Sequence, residues 1–400
     1  MFRDRRPALF GFWLMGATAM SVAGAAAKGY HVVYSFQNSQ DGDEPHAGLI
    51  KDGRGNLYGT TFSGGSGGFN GNGTVYRLAS DGSKAQLYSF TGQGDGNYPN
   101  ALIMDKSGNL VGTTQQGGDP DCDMSGCGVV FEVAPDGTET VLYTFHGGND
   151  GGQPLAALLP DGKGGFYGTA SGAGAHRLGL VFDLSSKGKE TVLHAFAGGS
   201  DGDGPQSALV ADRSGNLYGT TKQGGGSGCS SFGCGTIYEV TPTGAETVLY
   251  AFKGDADGAN PVASLIRDKA GNLYGTTGFG GDVGGCGGTG CGTVFKLSSH
   301  GALKVLFTFT GGNDGGQPVA NLVSGANGDL YGTTLFGGPD GYGVVFSVAA
   351  DGKEHVLHTF TDGDDGAYPW GALLKVGNKF VSTASGGGAT DFGTVFSVGK

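Results

Sequence analysis

Apolar residues in this chain come in short runs and never keep the three-and-four spacing that one buried helix face requires. Gly, Asn, Asp or Ser bounds each run, so the pattern predicts strands and turns from end to end. The clearest run is Gly215-Asn216-Leu217-Tyr218-Gly219-Thr220-Thr221. Near-copies occupy Gly55–Thr61, Gly108–Thr114, Gly164–Ala170, Gly271–Thr277, Gly328–Thr334 and, in degraded form, Gly377–Ala384. Their central small residues, Gly59, Gly112, Gly168, Gly219, Gly275, Gly332 and Ser382, stand 53, 56, 51, 56, 57 and 50 positions apart. Seven copies at such a period predict a repeat architecture.

Within the fourth copy the pattern predicts four strands. They are Ser207–Asp212, Leu217–Thr221, Gly235–Val240 and Thr247–Phe252, with hairpin turns at Arg213-Ser214-Gly215 and Thr243-Gly244. The third strand recurs at Gly73–Leu78, Gly128–Val133, Gly179–Leu184, Gly292–Leu297, Gly343–Val348 and Gly393–Val398. The fourth ends in Phe36, Phe90, Phe145, Phe196, Phe252, Phe309 and Phe360. Consecutive apolar residues such as Val294-Phe295 fit sheets covered on both faces. The expected fold is therefore all-β: a seven-bladed β-propeller of four-stranded antiparallel blades. The blades are expected near 47–90, 101–145, 156–196, 207–252, 263–309, 320–360, and 371–398 plus 30–36, forming one domain over 28–400. Because the chain opens on a lone fourth strand and ends after a third, Tyr30–Phe36 is expected to complete the last blade and close the ring.

Composition sharpens this picture. Glycine supplies 86 of 400 residues at fixed places in the repeat, which reads as turn chemistry instead of low complexity. The formal charge is −12, so the chain has no electrostatic footprint for nucleic acid. Residues 1–27 place Arg3, Arg5 and Arg6 before an uncharged apolar run that ends in Ala23-Gly24-Ala25 and Ala25-Ala26-Ala27, the pattern of a signal peptide cleaved after Ala25 or Ala27. No second apolar segment follows, so a mature chain without a membrane span, periplasmic or extracellular, is expected. Three matched pairs, Cys122 with Cys127, Cys229 with Cys234 and Cys286 with Cys291, read as local disulfides in an exported chain.

The motifs Gly-Asn-Leu-Tyr-Gly-Thr-Thr and Gly-Thr-Val-Phe-x-Leu, with an Asp-Gly-x-x-Pro loop, make residues 30–400 resemble the GloVer tandem repeat family of exported bacterial proteins, also called choice-of-anchor tandem repeat proteins. The resemblance implies an exported propeller with no settled activity and no catalytic residues to carry over. Relatives often end in a sorting or anchoring segment, whereas this sequence stops at Lys400, just past a strand; a covalent anchor is not expected.

The Asp-Gly-x-x-Pro loop joins successive blades at Asp41 with Pro45, Asp95 with Pro99, Asp150 with Pro154, Asp201 with Pro205, Asp257 with Pro261, Asp314 with Pro318 and Asp365 with Pro369. This loop and the variable loop after the second strand are expected on one face, the candidate binding surface. Seven aspartates, reinforced by Asp255, Asp362 and Asp364, admit calcium, with Asp257 and Asp365 as partners. The competing reading, that each Asp caps its own turn, is favoured because all seven repeats carry it. No metal or other cofactor is otherwise expected.

Repeats differ at Tyr98, Tyr368 and Trp370, with His46 at the same entrance in blade 1. These rings either grip a sugar or peptide or fill gaps between blades 1, 2, 6 and 7. His176, Arg177, Phe279, Phe336 and Tyr342 are weaker candidates of the same kind. Gly64-x-Ser66-x-Gly68 and Gly198-x-Ser200-x-Gly202 match a nucleophile-elbow pattern but join no strand to a helix. His194 and His358 replace a strand tyrosine, a packing role. The reading is a non-catalytic exported module recognising a glycan or protein. The alternatives are a polysaccharide hydrolase or lyase with carboxylates at the channel mouth, and a purely structural surface protein.

Overall fold

The computed structural model describes residues 29–68, 71–122, 125–226, 228–229, 232–282 and 284–399; the expected signal peptide lies outside them. Its strands form seven antiparallel sheets, and each repeat builds one. Blade 1 runs Ile50–Lys51, Leu57–Thr61, Thr74–Leu78, Lys84–Ser89 in spatial order, and the others follow suit. In blade 7 the strand Tyr30–Ser35 pairs antiparallel with Thr394–Gly399, matching Tyr30 to Val398 and Ser35 to Thr394. The first described strand therefore completes the last sheet. Among the described residues no helix is long and apolar enough to cross a membrane.

The core is divided into seven clusters, each shared by two neighbouring blades, and the seventh joins blade 7 to blade 1 through Val381, Val395, Phe36, Leu49, Tyr76 and Leu78. Third strands feed two clusters at once, Val129 facing blade 1 and Val130 facing blade 3. That explains their unbroken apolar runs. Each Phe that ends a fourth strand meets the third-strand ring of the next blade edge-on, as in Phe90 with Phe131 at 4.9 Å and Phe360 with Phe396 at 5.2 Å. The central glycine of the Leu-Tyr-Gly motif follows from the same ring. A Cβ on Gly112 would stand 2.7 Å from Phe131 Cζ and 2.9 Å from Leu102, so only glycine leaves the ring its place. Threonine hydroxyls then stitch blade to blade: Thr60 donates to the Asn100 carbonyl, Thr169 to Ser207, and Thr383 to Ala47 across the closure.

Two expectations need correction. The first strand of blade 4 is Val210–Ala211, not Ser207–Asp212. Ser207 and Ala208 leave the ladder because they bond inward and sideways: Ser207 Oγ accepts from Thr220 N, and Ala208 N donates to Ser264 Oγ of blade 5. Blades 2 and 4 also carry a fifth strand, Asn97–Pro99 and Asp203–Pro205, made by the Asp-Gly-x-x-Pro loop pairing with a lengthened second strand.

Candidate functional site

The two long loops of each repeat do emerge together. Bridges join them directly, Asp43 to Ser63, Gly152 to Gly172, Ala259 to Phe279, Gly316 to Phe336 and Ala367 to Gly386. The residue before each proline is left-handed: Glu44, Tyr98, Gln153, Gly204, Asn260, Gln317 and Tyr368, with φ between 55° and 64°. A tyrosine there is strained. Hydrogen bonds to two blades impose the conformation. Tyr368 N donates to the Tyr342 carbonyl of blade 6, while its own carbonyl accepts from Ser385 N of blade 7. The result is a ring of seven equivalent positions on the long-loop face, six of them bearing a side chain, set by a fixed backbone.

Four sequence candidates lie on this face, in two groups. His46 packs against Trp370 (5.5 Å between centroids) and Phe62 (5.0 Å), and Phe62 stacks on Tyr98 at 4.4 Å with an interplanar angle of 7°. The track Trp370–His46–Phe62–Tyr98 thus crosses from blade 7 over blade 1 to blade 2. Trp370 is 40% exposed. Burial between two rings pushes the His46 pKa down to about 4, so the imidazole is neutral at pH 7. Tyr368 stands apart with Phe336 (5.7 Å) and Tyr342 (5.5 Å). It borders an open depression of about 400 Å³ lined also by Asp43, Glu44, Ser385, Thr390 and Asp391. Burial raises the pKa of Asp43 and Glu44, and the charges of Asp391 and Asp43, respectively, add to it. Phe62 is the residue the sequence reading missed. It follows a Thr-Thr pair where the corresponding positions hold Gln115, Ser171, Lys222, Gly278 and Leu335, and that difference was available as a signal.

Of the weaker candidates, Phe336 and Tyr342 join Tyr368 and the others disperse. Phe279 packs against the core shared by blades 4 and 5, and Arg177 occupies a left-handed turn; neither His176 nor Arg177 joins the rings. Ser66 N donates to Ser89 Oγ in a loop, and Ser200 lies in a turn, so neither stands at a strand-to-helix elbow.

The loop aspartates hold turns. Asp95 accepts from Tyr88 OH (2.9 Å) and Thr91 N (2.7 Å), and Asp257 accepts from Tyr250 OH (2.8 Å) and Lys253 N. Where tyrosine is replaced, His194 and His358 contact Asp201 and Asp365 through Nε2 at 3.0 and 3.1 Å, taking over the tyrosine's bond. Asp255 accepts from Gly258 and Gly281 through its backbone carbonyl, Asp364 is exposed, and Asp362 sits beside Tyr342. The three cysteine pairs are disulfides.

Asp41, Asp95, Asp150, Asp201 and Asp314 also face the residue that opens the fourth strand of the following blade. In blade 1 this is Lys84, whose ammonium bonds Asp41 Oδ1 at 2.9 Å. In blades 2, 3, 4 and 6 it is Glu139, Glu190, Glu246 and Glu354, whose Oε1 atoms are buried without a hydrogen-bond partner. Burial, with the neighbouring aspartate, raises each of these four glutamates to about 7.

Comparison with known proteins agrees with this architecture. The Gloeobacter/Verrucomicrobia repeat model matches residues 20–232 and 229–396, and the chain belongs to that family. Among curated proteins no relative matches. Among solved structures, a streptogramin B lyase is similar at TM-score 0.59 and 13% identity, over 94% of this chain and 99% of that one. The extracellular domain of a proposed one component system from B. thetaiotaomicron is similar at TM-score 0.58 and 10% identity, over 92% of this chain and 40% of that one. At such identities the likeness concerns the fold alone.

Proposed function

We propose that this protein is an exported, non-catalytic binding module that holds a glycan along the track Trp370–His46–Phe62–Tyr98. The observation that carries the reading is the contact of these rings across two blade junctions, on the face where variable loops meet. Aromatic faces cover sugar rings at little cost in rotamer entropy, and the carboxylates of Asp43, Glu44 and Asp391 in the depression beside Tyr368 can accept hydroxyl hydrogen bonds. Export is supported by the charged and apolar leader pattern and by three disulfides. A hydrolase or lyase is favoured by one feature, the raised carboxyl groups of Asp43 and Glu44 beside Asp391. Against it, the segments that follow the loop prolines, 46–49, 100–102, 155–158, 206–209, 262–265, 319–322 and 370–373, carry no carboxylate.

A glycan-array screen followed by calorimetry tests the proposal. Trp370→Ala is expected to weaken binding of any captured glycan by about tenfold or more, the equivalent of about 1.4 kcal/mol, and Tyr98→Ala to weaken it less. Binding indifferent to both substitutions removes the site. Turnover of the captured sugar establishes the enzyme instead, and capture of no sugar leaves the protein-binding or structural readings.

A further inference from the structure

The seven junctions between blades are seven versions of one small site, and the variation among them carries information. Each consists of a fourth-strand residue, the loop aspartate seven positions later, and the residue that opens the next fourth strand. The first is Tyr34, Tyr88, Tyr143, His194, Tyr250, Phe307 or His358. The last is Lys84, Glu139, Glu190, Glu246, Leu303, Glu354 or Tyr30. In blade 1 the space is taken by a cation, since Lys84 Nζ contacts both Asp41 Oδ1 and its carbonyl oxygen. The protein itself thus displays what this position attracts: positive charge against a loop aspartate.

In the junction of blades 3 and 4 the lysine is replaced by Glu246 and the tyrosine by His194. His194 Nε2, Asp201 Oδ1 and a Glu246 carboxylate oxygen then converge within 4.8 Å of one another. Among the described residues this is the single group of three such ligands. The other junctions each lack a component. The junctions of blades 1 and 2 and of blades 2 and 3 offer Tyr88 and Tyr143 for histidine, that of blades 5 and 6 offers Phe307, and that of blades 4 and 5 offers Tyr250 with Leu303 for the glutamate. At the closure His358 and Asp365 are present, but the Tyr30 ring stacks on His358 at 3.6 Å and fills the place. Glu246 Oε1 is buried with no partner, which is costly for a carboxylate oxygen unless something binds it.

We propose that His194, Asp201 and Glu246 bind a divalent metal ion of the zinc class at the junction of blades 3 and 4, where blade 1 places the Lys84 ammonium. One imidazole nitrogen with two carboxylates selects zinc over calcium or magnesium, which prefer oxygen alone. Ligand bonds of about 2.0–2.2 Å ask for donors roughly 3.4 Å apart. His194 and Asp201 need to spread slightly from their 3.0 Å contact, and the Glu246 oxygen, within 4.8 Å of both, needs to settle at the same spacing. The ion takes the place of the hydrogen between His194 Nε2 and Asp201; the ring keeps one proton, on Nδ1, any second proton leaves to solvent, and the Nε2 lone pair becomes the ligand that joins the two blades.

The experiment uses the untagged chain, stripped with chelator and then titrated with zinc chloride by calorimetry, with bound metal counted after desalting. Wild type is expected to take up one ion per chain and to melt at higher temperature with zinc than without. Glu246→Leu and His194→Tyr each install a residue that another junction already carries, so both should fold. Both are expected to lose stoichiometric uptake and the zinc-dependent rise in melting temperature. Glu246→Lys, which copies blade 1, should be insensitive to zinc. A wild-type chain that takes up no zinc, or uptake unchanged in Glu246→Leu and His194→Tyr, overturns the proposal. So does uptake of several ions per chain, since that would track the Asp–Glu pairs and not the histidine.

Discussion

In blades 2, 4 and 5 the residue two positions before the third strand is Cys127, Cys234 or Cys291; in blades 1, 3, 6 and 7 it is Asn72, Leu178, Tyr342 or Phe392. The backbone job is the same in both sets. The Cys127 and Cys291 carbonyls accept from Gln153 N and Gln317 N, as the Asn72 and Tyr342 carbonyls accept from Tyr98 N and Tyr368 N. The disulfides, however, lie against the next loop: a Cβ on Gly147, Gly254 or Gly311 would come within 2.6 Å of a cystine sulfur. Each closes a short loop and contributes about 2 kcal/mol, stiffening its junction without displaying a linked ring. Phe232, 64% exposed within one such loop, has no aromatic neighbour among the described residues. In the other set rings touch across junctions. One scaffold position thus carries covalent stiffness in one set of blades and none in the other, and the closure of the ring falls in the second set.

That placement sets the largest expected effect. Removing residues 28–37 deletes the strand opposite Thr394–Gly399 and the rings of Tyr30 and Phe36, which belong to the clusters on both sides of blade 7. It also exposes a strand edge and two apolar cores. Loss of the cooperative melt or aggregation is expected, monitored by circular dichroism and size-exclusion chromatography. A truncated chain as stable and monomeric as the parent would show that the second set of blades does not depend on closure.

The junction carboxyls set a smaller effect with a definite sign. Glu139, Glu190 and Glu354 titrate near 4.5 when unfolded and at about 7 when folded, because burial and then Asp95, Asp150 and Asp314 oppose their charge. Tyr88 and Tyr143 face the first two aspartates as neutral donors. A raised acid binds its proton more tightly in the folded state, so stability is greatest below about 4.5 and falls as pH rises to about 7. Allowing for solvent screening, each pair costs on the order of 1 kcal/mol above that window. Melting temperature should therefore decline between pH 5 and 7, and Glu139→Leu, which copies Leu303, should flatten the decline. An unchanged slope in that variant would remove the carboxyl pair as its cause.

The blades, their closure, the disulfides and the turn-holding aspartates were legible because each is a local pattern repeated along the chain. The carboxyl pairs were not. Asp95 and Glu139 belong to neighbouring repeats and meet only when two sheets pack, although the change from Lys84 to glutamate at one repeat position was visible in the sequence. The brevity of Val210–Ala211 was hidden for a similar reason, since Ala208 bonds to Ser264 of the next blade. Tyr98 and Tyr368 stood out as aromatic, but their left-handed backbone comes from bonds to two blades, which no propensity records.

The smallest expected effect on stability decides what those rings are for. A non-glycine residue held left-handed costs about 1–2 kcal/mol, which Tyr98→Gly would relieve. The same change forfeits the stack on Phe62, worth about 0.5–1.5 kcal/mol, and adds about 0.5–1 kcal/mol of chain entropy to the unfolded state. These terms nearly cancel, so Tyr98→Gly should leave stability within about 1 kcal/mol of the parent while glycan affinity drops. Gln153→Gly, at the equivalent place beside the Cys122–Cys127 disulfide, loses no stack and should be neutral or slightly stabilising with affinity intact. Gly204 already fills this place in blade 4, so the fold accepts both changes. Denaturant melts and calorimetry on the pair separate the two roles. If Tyr98→Gly instead unfolds several kcal/mol more readily than Gln153→Gly, the ring fills a gap between blades 1 and 2, and the strain at Tyr98 is maintained for packing and not for a ligand.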